Sequence, residues 1–199
     1  MDDQIGAIIL AAGGSKRFGS PKQLLEWQGE TLINRVINLA ITNQLDPIIV
    51  VLGSDYEIIK KSIKNINKIC IVYNEDWLVG QSTSLIAGAK EIEKKNKPFL
   101  VLLCDQPQIT DENIQGLINR YLETDCDLAI TEIEGKLIPP VIFGPDCIND
   151  IKELQGDRGA RSIIENHRYT TYKEDDKRLL LDIDTQEDIV KLNKLYNCA

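Results

Sequence analysis

The stretch Leu10-Ala-Ala-Gly-Gly-Ser-Lys-Arg-Phe-Gly-Ser-Pro-Lys22 brings together three glycines, three cations and small hydroxyl side chains, and contains no acid. It follows directly on the apolar run Ile5–Leu10, which reads as a buried strand. Such residues can receive phosphate. Gly13, Gly14 and Gly19 permit positive φ and a close backbone approach. The N–H groups so exposed, with Lys16, Arg17 and Lys22, can neutralise negative oxygens. The C-terminal end of a strand is also where open α/β sheets take ligands. The common phosphate-loop patterns do not describe it: a P-loop needs Gly-Lys-[Ser/Thr], whereas Gly19 is followed by Ser20-Pro21-Lys22, and G-x-G-x-x-G does not occur. The competing reading is a glycine-rich surface turn with solvated cations.

Carboxylates come from distant segments. Asp105 follows Phe99–Cys104, the most apolar predicted strand, which puts it on the same sheet edge as the glycine loop. Magnesium takes hard oxygen ligands, usually one or two carboxylates completed by phosphate and water, and Asp105 suits that role; the alternative is a capping Asp in the turn before Pro107. Asp182 and Asp184 flank Ile183 at the end of a predicted strand, Leu179–Ile183, where period-two geometry aims both at one face. Asp182 is favoured as the second acid, with Asp184 shaping the turn before Thr185. Gln81, Ser82, Thr83 and Ser84 precede an amphipathic helix; they read as N-cap and first-turn residues, and their amide and hydroxyl groups can also hydrogen-bond a base edge. Gly156, Asp157, Arg158, Gly159 and Arg161 form a second glycine-and-cation loop at a helix start, either an anion site or a loop with Asp157 and Arg161 paired internally.

The elements that position these residues alternate. Ile5–Leu10, Pro47–Gly53, Lys68–Tyr73, Phe99–Cys104 and Leu128–Thr131 are predicted strands, with helices Thr31–Thr42, Asp55–Lys64, Thr83–Lys94 and Asp111–Glu123 between them. Short strands that are apolar on both faces imply a mostly parallel sheet covered by helices on each side. After about residue 133 the rhythm changes: a tight turn at Glu134-Gly135-Lys136, an extended run Val141–Phe143 opened by Pro139-Pro140, helices near Pro145–Leu154 and Ala160–Asn166, strands Tyr169–Lys173 and Leu179–Ile183, and a last helix from Thr185, which with Asp188 makes a capping-box pattern.

The chain of 199 residues with 43% apolar content reads as one domain, 1–199. Its net charge of −8 argues against general nucleic-acid binding and makes the cations at Lys16, Arg17 and Lys22 stand out. No apolar run approaches the roughly 20 residues of a membrane span, and Met1-Asp2-Asp3-Gln4 lacks the basic start of a signal peptide, so a soluble cytoplasmic protein is expected, with no membrane partner. Five cysteines without a C-x-x-C pair read as reduced thiols rather than a zinc site. The one histidine, His167, reads as a helix-terminal or surface residue, and no Ser-His-Asp motif accompanies it.

The segment "LAAGGSKRFGSPKQLL" resembles the nucleotide-binding loop of the MobA-like nucleotidyltransferases that attach CMP or GMP to molybdopterin, and is closer to the cytidylyltransferase branch. The resemblance continues through "GQSTSL" (80–85), "CDQP" (104–107), "GDRGAR" (156–161) and "LDIDTQED" (181–188), in order along the whole chain. It implies a three-layer α/β/α Rossmann-like fold of the nucleotide-diphospho-sugar transferase type with a mostly parallel mixed sheet, residues 1–132 forming the nucleotide half and 133–199 the acceptor half. It implies CTP binding by Leu10, Ala11, Ala12, Gly13, Gly14, Ser15, Lys16, Arg17 and Lys22, with base reading by Gln81, Ser82 and Ser84. It implies metal (Mg2+, or Mn2+) at Asp105 and at Asp182 or Asp184, and acceptor binding by Gly156, Asp157, Arg158, Gly159 and Arg161. Arg17, Lys22 and Asp105 would be the catalytic groups. The implied partners are CTP, molybdopterin and a recipient molybdoenzyme. Lys136-Leu-Ile-Pro-Pro140 departs from relatives that carry a small or polar residue with Gly before this strand. A guanylyl- or sugar-phosphate nucleotidyltransferase, a non-catalytic cofactor-delivery protein, and a reductase on the same scaffold are the alternatives.

Overall fold

A strand with apolar side chains on both faces is stable only between two layers, and β1 (Gly6–Ala11) is built that way. The computed structural model describes residues 4–15, 17–156 and 161–197 (of 161 and 197 the backbone alone). In it, Ala7, Ile9 and Ala11 face one helical layer while Ile8 and Ala12 face the other. The remaining strands are β2 (Glu26–Trp27), β3 (Glu30–Thr31), β4 (Ile48–Leu52), β5 (Cys70–Tyr73), β6 (Phe99–Leu103), β7 (Leu128–Ile133), β8 (Lys136–Phe143) and β9 (Tyr169–Lys173). The helices are α1 (Leu32–Thr42), α2 (Tyr56–Ser62), α3 (Gln81–Glu93), α4 (Asp111–Leu122), α5 (Ile148–Lys152), α6 (Arg161–Ile164) and α7 (Gln186–Asn197).

The main sheet runs β5-β4-β1-β6-β8-β7-β9. β5, β4, β1 and β6 are mutually parallel, β8 is antiparallel to both neighbours, and β7 and β9 are parallel to each other. This is the expected mostly parallel mixed sheet. Core residues of α1, α2, α4 and α7 (Ile37, Ile59, Leu117, Leu192) pack on one face, and those of α3, α5 and α6 (Ala89, Ile151, Ile163) on the other. The chain leaves β1 towards β4 and returns to its other side at β6 over the opposite face. The β1/β6 crevice is therefore the switch point at which sheets of this type bind ligands. Where α3 crosses β1, Gly88 lets it settle: a Cβ there would stand 2.5 Å from Ile8 Cγ2. That contact sets the height of the helix carrying Gln81 and Ser84.

Several boundaries move. Glu134 (φ 50°) and Gly135 (φ 78°) form a two-residue hairpin turn, so β8 starts at Lys136 rather than at Pro140. The prolines fall in an irregularity between Ile130 and Thr131, where the register steps from Val141 to Ile138; there their missing N–H groups break no ladder. The helix expected over 145–154 is a 3-10 turn, Pro145–Cys147, followed by α5, and that expected over 160–166 shortens to α6. The predicted strand Leu179–Ile183 is not a strand. Asp176 accepts from the Arg178 N–H and starts a 3-10 turn, Lys177–Leu180. The backbone beyond it bonds to the loop after β6 instead of to a sheet edge: Ile183 N–H donates to Asp105 O at 2.9 Å, and Gln108 Nε2 donates to Leu181 O at 2.7 Å.

Candidate active site

The glycine loop is held from beneath by a residue with no obvious chemistry of its own. Gln23, 1% exposed, donates through Nε2 to Ala11 O (2.9 Å) and Gly13 O (2.8 Å). Ser15 Oγ accepts from the Lys22 N–H at 3.0 Å, closing the loop on itself. The N–H groups of Gly13 and Gly14 have no acceptor among the described residues, which leaves two donors for an anion. Lys16 lies outside the described residues.

Lys22 is the hub. Its Nζ donates to Asp105 Oδ2 at 2.6 Å, to Asp184 Oδ1 at 3.2 Å and to Ile183 O at 3.2 Å. Arg17 Nη2 bonds Asp184 Oδ2 at 2.8 Å from an exposed position. Burial alone would lower the Lys22 pKa, but the charge and hydrogen bond of Asp105, with those of Asp184, outweigh it and hold the ammonium above 10.5. Asp105 Oδ1 is buried and has no protein partner. Asp182 is near the same groups but pairs with neither cation: its Oδ1 accepts from Gln106 Nε2 at 2.9 Å. Burial first, then the charges of Asp105 and Asp184, raise its pKa above 3.8 against that hydrogen bond. Of the two acids around Ile183, it is thus Asp184 that meets Lys22 and Arg17. Among the described residues no group of three or more His, Cys, Asp or Glu side chains forms a metal cage, so any divalent cation would rest on a carboxylate pair and its ligand's oxygens.

Asp184 owes its place to α7. Asp188 Oδ2 accepts from the N–H groups of Asp184 (3.3 Å) and Thr185 (2.9 Å) and from the Thr185 hydroxyl (2.8 Å), the carboxylate half of a capping box. The helix is anchored by a stack: Arg35 over the Trp27 ring (4.5 Å), Trp27 edge-on to Tyr196 (5.2 Å) and Arg178 over Tyr196 (4.4 Å). The Trp27 indole N–H adds a bond to Asn193 Oδ1 at 3.1 Å.

A cleft of about 340 Å3 opens between these groups and α3. Leu10, Ala11, Ala12, Gly13, Gly14, Lys22 and Asp105 line it, and so do Trp77, Gly80, Gln81 and Ser84. Arg17 stands at 71% side-chain exposure outside it. Ser82 does not line it; it is buried, with its N–H on Gly156 O at 3.3 Å. The N-cap of α3 is Gly80 rather than a hydroxyl residue, and Thr83 Oγ1 bonds back to Gly80 O at 2.9 Å. Asn74, which the sequence did not single out, ties the approach: its Nδ2 donates to Thr83 Oγ1 and Ser84 Oγ, both at 2.9 Å. Cys104 also lines the cleft, but burial, then the adjacent Asp105 charge, push its thiol far up, so it is no nucleophile. Asp157, Arg158 and Gly159 lie outside the described residues, as does the Arg161 side chain. His167 lies away from this cleft, with Nε2 on Asp150 Oδ2 at 2.6 Å. Gln23, Trp77 and Asn74 escaped sequence reading because amides and aromatics are ordinary core and turn residues until their neighbours are known. The four described cysteines are free, and among the described residues no helix is long and apolar enough to cross a membrane.

A model of the MobA-like NTP transferase domain matches residues 7–171. The chain belongs to this family. Among curated proteins, the chain is 27% identical over 195 residues to the purine catabolism protein PucB of Bacillus subtilis, covering 91% of this chain and 92% of the relative. It is 31% identical over 115 residues to nicotine blue oxidoreductase of Paenarthrobacter nicotinovorans, covering 57% and 55%. It is 24% identical over 137 residues to a probable molybdenum cofactor guanylyltransferase of Bacillus cytotoxicus, covering 68% and 65%. Among solved structures, the homologue of Mycobacterium tuberculosis Rv0371c from Mycobacterium sp. strain JC1 superposes with a TM-score of 0.83 at 25% identity over the full length of both chains. The manganese complex of Rv0371c itself superposes at 0.80 and 22% identity, covering 96% of this chain and 98% of that one. The MobA-like fold is thus established, and the family is one of nucleotidyltransferases.

Proposed function

We propose that this MobA-like chain transfers CMP from CTP to the terminal phosphate of molybdopterin and releases pyrophosphate. The observation that carries the reading is Lys22, set between Asp105 and Asp184, in a cleft whose lining from Trp77 to Ser84 is uncharged. The charged groups suit a triphosphate, the uncharged lining a base and ribose. The guanylyltransferase relative supports a molybdopterin acceptor, and the likeness of residues 10–25 to the cytidylyltransferase branch supports CTP. We assign residues 1–132 to nucleotide and 133–199 to acceptor, with Gly156, Asp157, Arg158, Gly159 and Arg161 as the groups that bind the acceptor phosphate.

The donor chemistry fits a divalent cation. The buried, unpartnered Asp105 Oδ1 is a hard oxygen left for one, and Asp184 is the second acid we assign, in preference to Asp182. These two would hold magnesium, or manganese, which when bound neutralises phosphate charge. The chain's own part is alignment and neutralisation. Gly13 and Gly14 N–H groups donate to phosphate oxygens. Lys22 exchanges its carboxylate partners for the α-phosphate, and Arg17 meets the departing pyrophosphate. An acceptor phosphate oxygen forms its bond to the α-phosphorus as the bond to the α–β bridging oxygen breaks. The attacking oxygen is already anionic, so no general base is needed.

Incubating the protein with each labelled NTP, magnesium and a molybdopterin source tests the reading. CMP incorporation is expected, and GMP incorporation would instead favour the guanylyltransferase alternative. A sugar-phosphate acceptor, or binding without turnover as in a delivery protein, would show as no incorporation into molybdopterin. The relative named nicotine blue oxidoreductase favours one further reading, a reductase, which NADPH oxidation with a quinonoid substrate would reveal. A recipient molybdoenzyme would be the next partner.

A further inference from the structure

The chain has two tryptophans, and they are treated differently. Trp27 is 3% exposed, its ring meets Tyr196 edge-to-face and Arg35 over one face, and its N–H is bonded to Asn193. Trp77 is half-buried and lines the cleft, yet among the described residues it has no ring partner, no cation over it and no acceptor for its N–H. It is nonetheless held firmly. A Cβ on Gly14 would stand 2.7 Å from Trp77 Cζ3, and one on Gly53 would stand 2.7 Å from Trp77 Cβ and Cγ. Two glycines thus leave room for an indole laid across the end of β4 and the first turn of the phosphate loop. The loop that carries it is pinned by Asn74, whose Oδ1 accepts from the Asp76 N–H at 3.0 Å. On its far side the same ring borders an open groove of about 720 Å3 with Tyr56 and Tyr73.

An aromatic ring that is rigidly seated, without an aromatic or cationic partner among the described residues, and part of the uncharged lining of a nucleotide cleft is suited to a planar, apolar-faced ligand. We propose that Trp77 is the platform on which the nucleobase stacks, and that the ring itself does not select the base. This rests on the nucleotidyltransferase reading above. Stacking on an aromatic ring is tolerant of base identity, so the ring raises affinity for every base.

The test is a titration of wild type, Trp77→Ala and Trp77→Phe with magnesium CTP, magnesium GTP and magnesium tripolyphosphate, read by calorimetry and by indole fluorescence. Nucleotide is expected to quench wild-type emission saturably, with the quench lost in Trp77→Phe because Trp27 is buried. Trp77→Ala should weaken both nucleotides by a similar factor, roughly 5- to 150-fold, leave tripolyphosphate binding unchanged and be largely rescued by Phe. Should Trp77→Ala fail to fold, Trp77→Leu takes its place with the same expectation. Unchanged nucleotide affinity would overturn the proposal, as would an equal loss for tripolyphosphate, which would make the ring a mere prop for Gly14. If wild type binds no nucleotide, the nucleotidyltransferase reading falls and the stacking role with it.

Discussion

The two arms that grip Lys22 are built on opposite principles. The glycine loop on β1 is assembled from neighbours in sequence: Ser15, Lys22 and Gln23 close it within a dozen residues. The arm carrying Asp184 has almost no structure of its own; it is an extended segment hung between Gln106 and Gln108 on one side and the cap of α7 on the other. The first arm can be specified locally, whereas the second is placed only once β6, α7 and the Trp27–Tyr196 stack have come together. A charged site built this way brings its carboxylates together around Lys22 only in the folded state.

The largest effects should come where the arms meet. Lys22→Ala and Asp105→Ala are each expected to cut turnover by about 10²–10³ while leaving the thermal unfolding profile cooperative; near-wild-type rates in both would break the assignment. Asp184→Asn against Asp182→Asn sharpens the comparison. The first removes the charge paired with Lys22 and Arg17 and should weaken metal-nucleotide binding roughly 10- to 100-fold. The second leaves a Gln106 partner in place and should change binding far less; calorimetry distinguishes them, and the reverse order would return the metal to Asp182.

Smaller effects separate the supports. Gln23→Ala strands two carbonyls under the glycine loop and should lose about 1–3 kcal/mol of stability by denaturant melt, with Gln108→Ala losing about the same range for Leu181 O. The two losses should add, because they support different arms. Smallest is an acid effect at the α7 cap. Hydrogen bonds from Lys191, then Thr185, depress the Asp188 carboxyl to about 2. A lowered carboxylate pKa stabilises the fold above its unfolded value of 3.8 and loses that stability as pH falls towards 2. Asp188→Asn should therefore melt below wild type at pH 6, with the gap closing through that window.

The difference between the arms also marks how far the chain could be read before its fold was known. β1, β4, β6 and the helices between them were legible because each strand is apolar on both faces and each helix has a stripe, patterns set by the burial of residues like Ile8, Ile9, Val50 and Val51 on alternate sides. Residues 179–183 misled for the same reason: Leu179 and Ile183 are buried like strand residues, but their backbone is satisfied by Asp105 O and a glutamine amide instead of a ladder. Alternation reports which side chains are buried and is silent on which groups meet the backbone.

By itself, then, the amino-acid order determined the alternating architecture and the glycine-and-cation make-up of the loop after β1, since hydrophobic period and glycine-cation spacing act over a few residues. Only the tertiary structure decided that Asp184 rather than Asp182 reaches Lys22 and that Trp77 lines the cleft. Those choices depend on contacts between segments as much as 167 positions apart, and no local energy distinguishes one aspartate or tryptophan from another until such segments are packed.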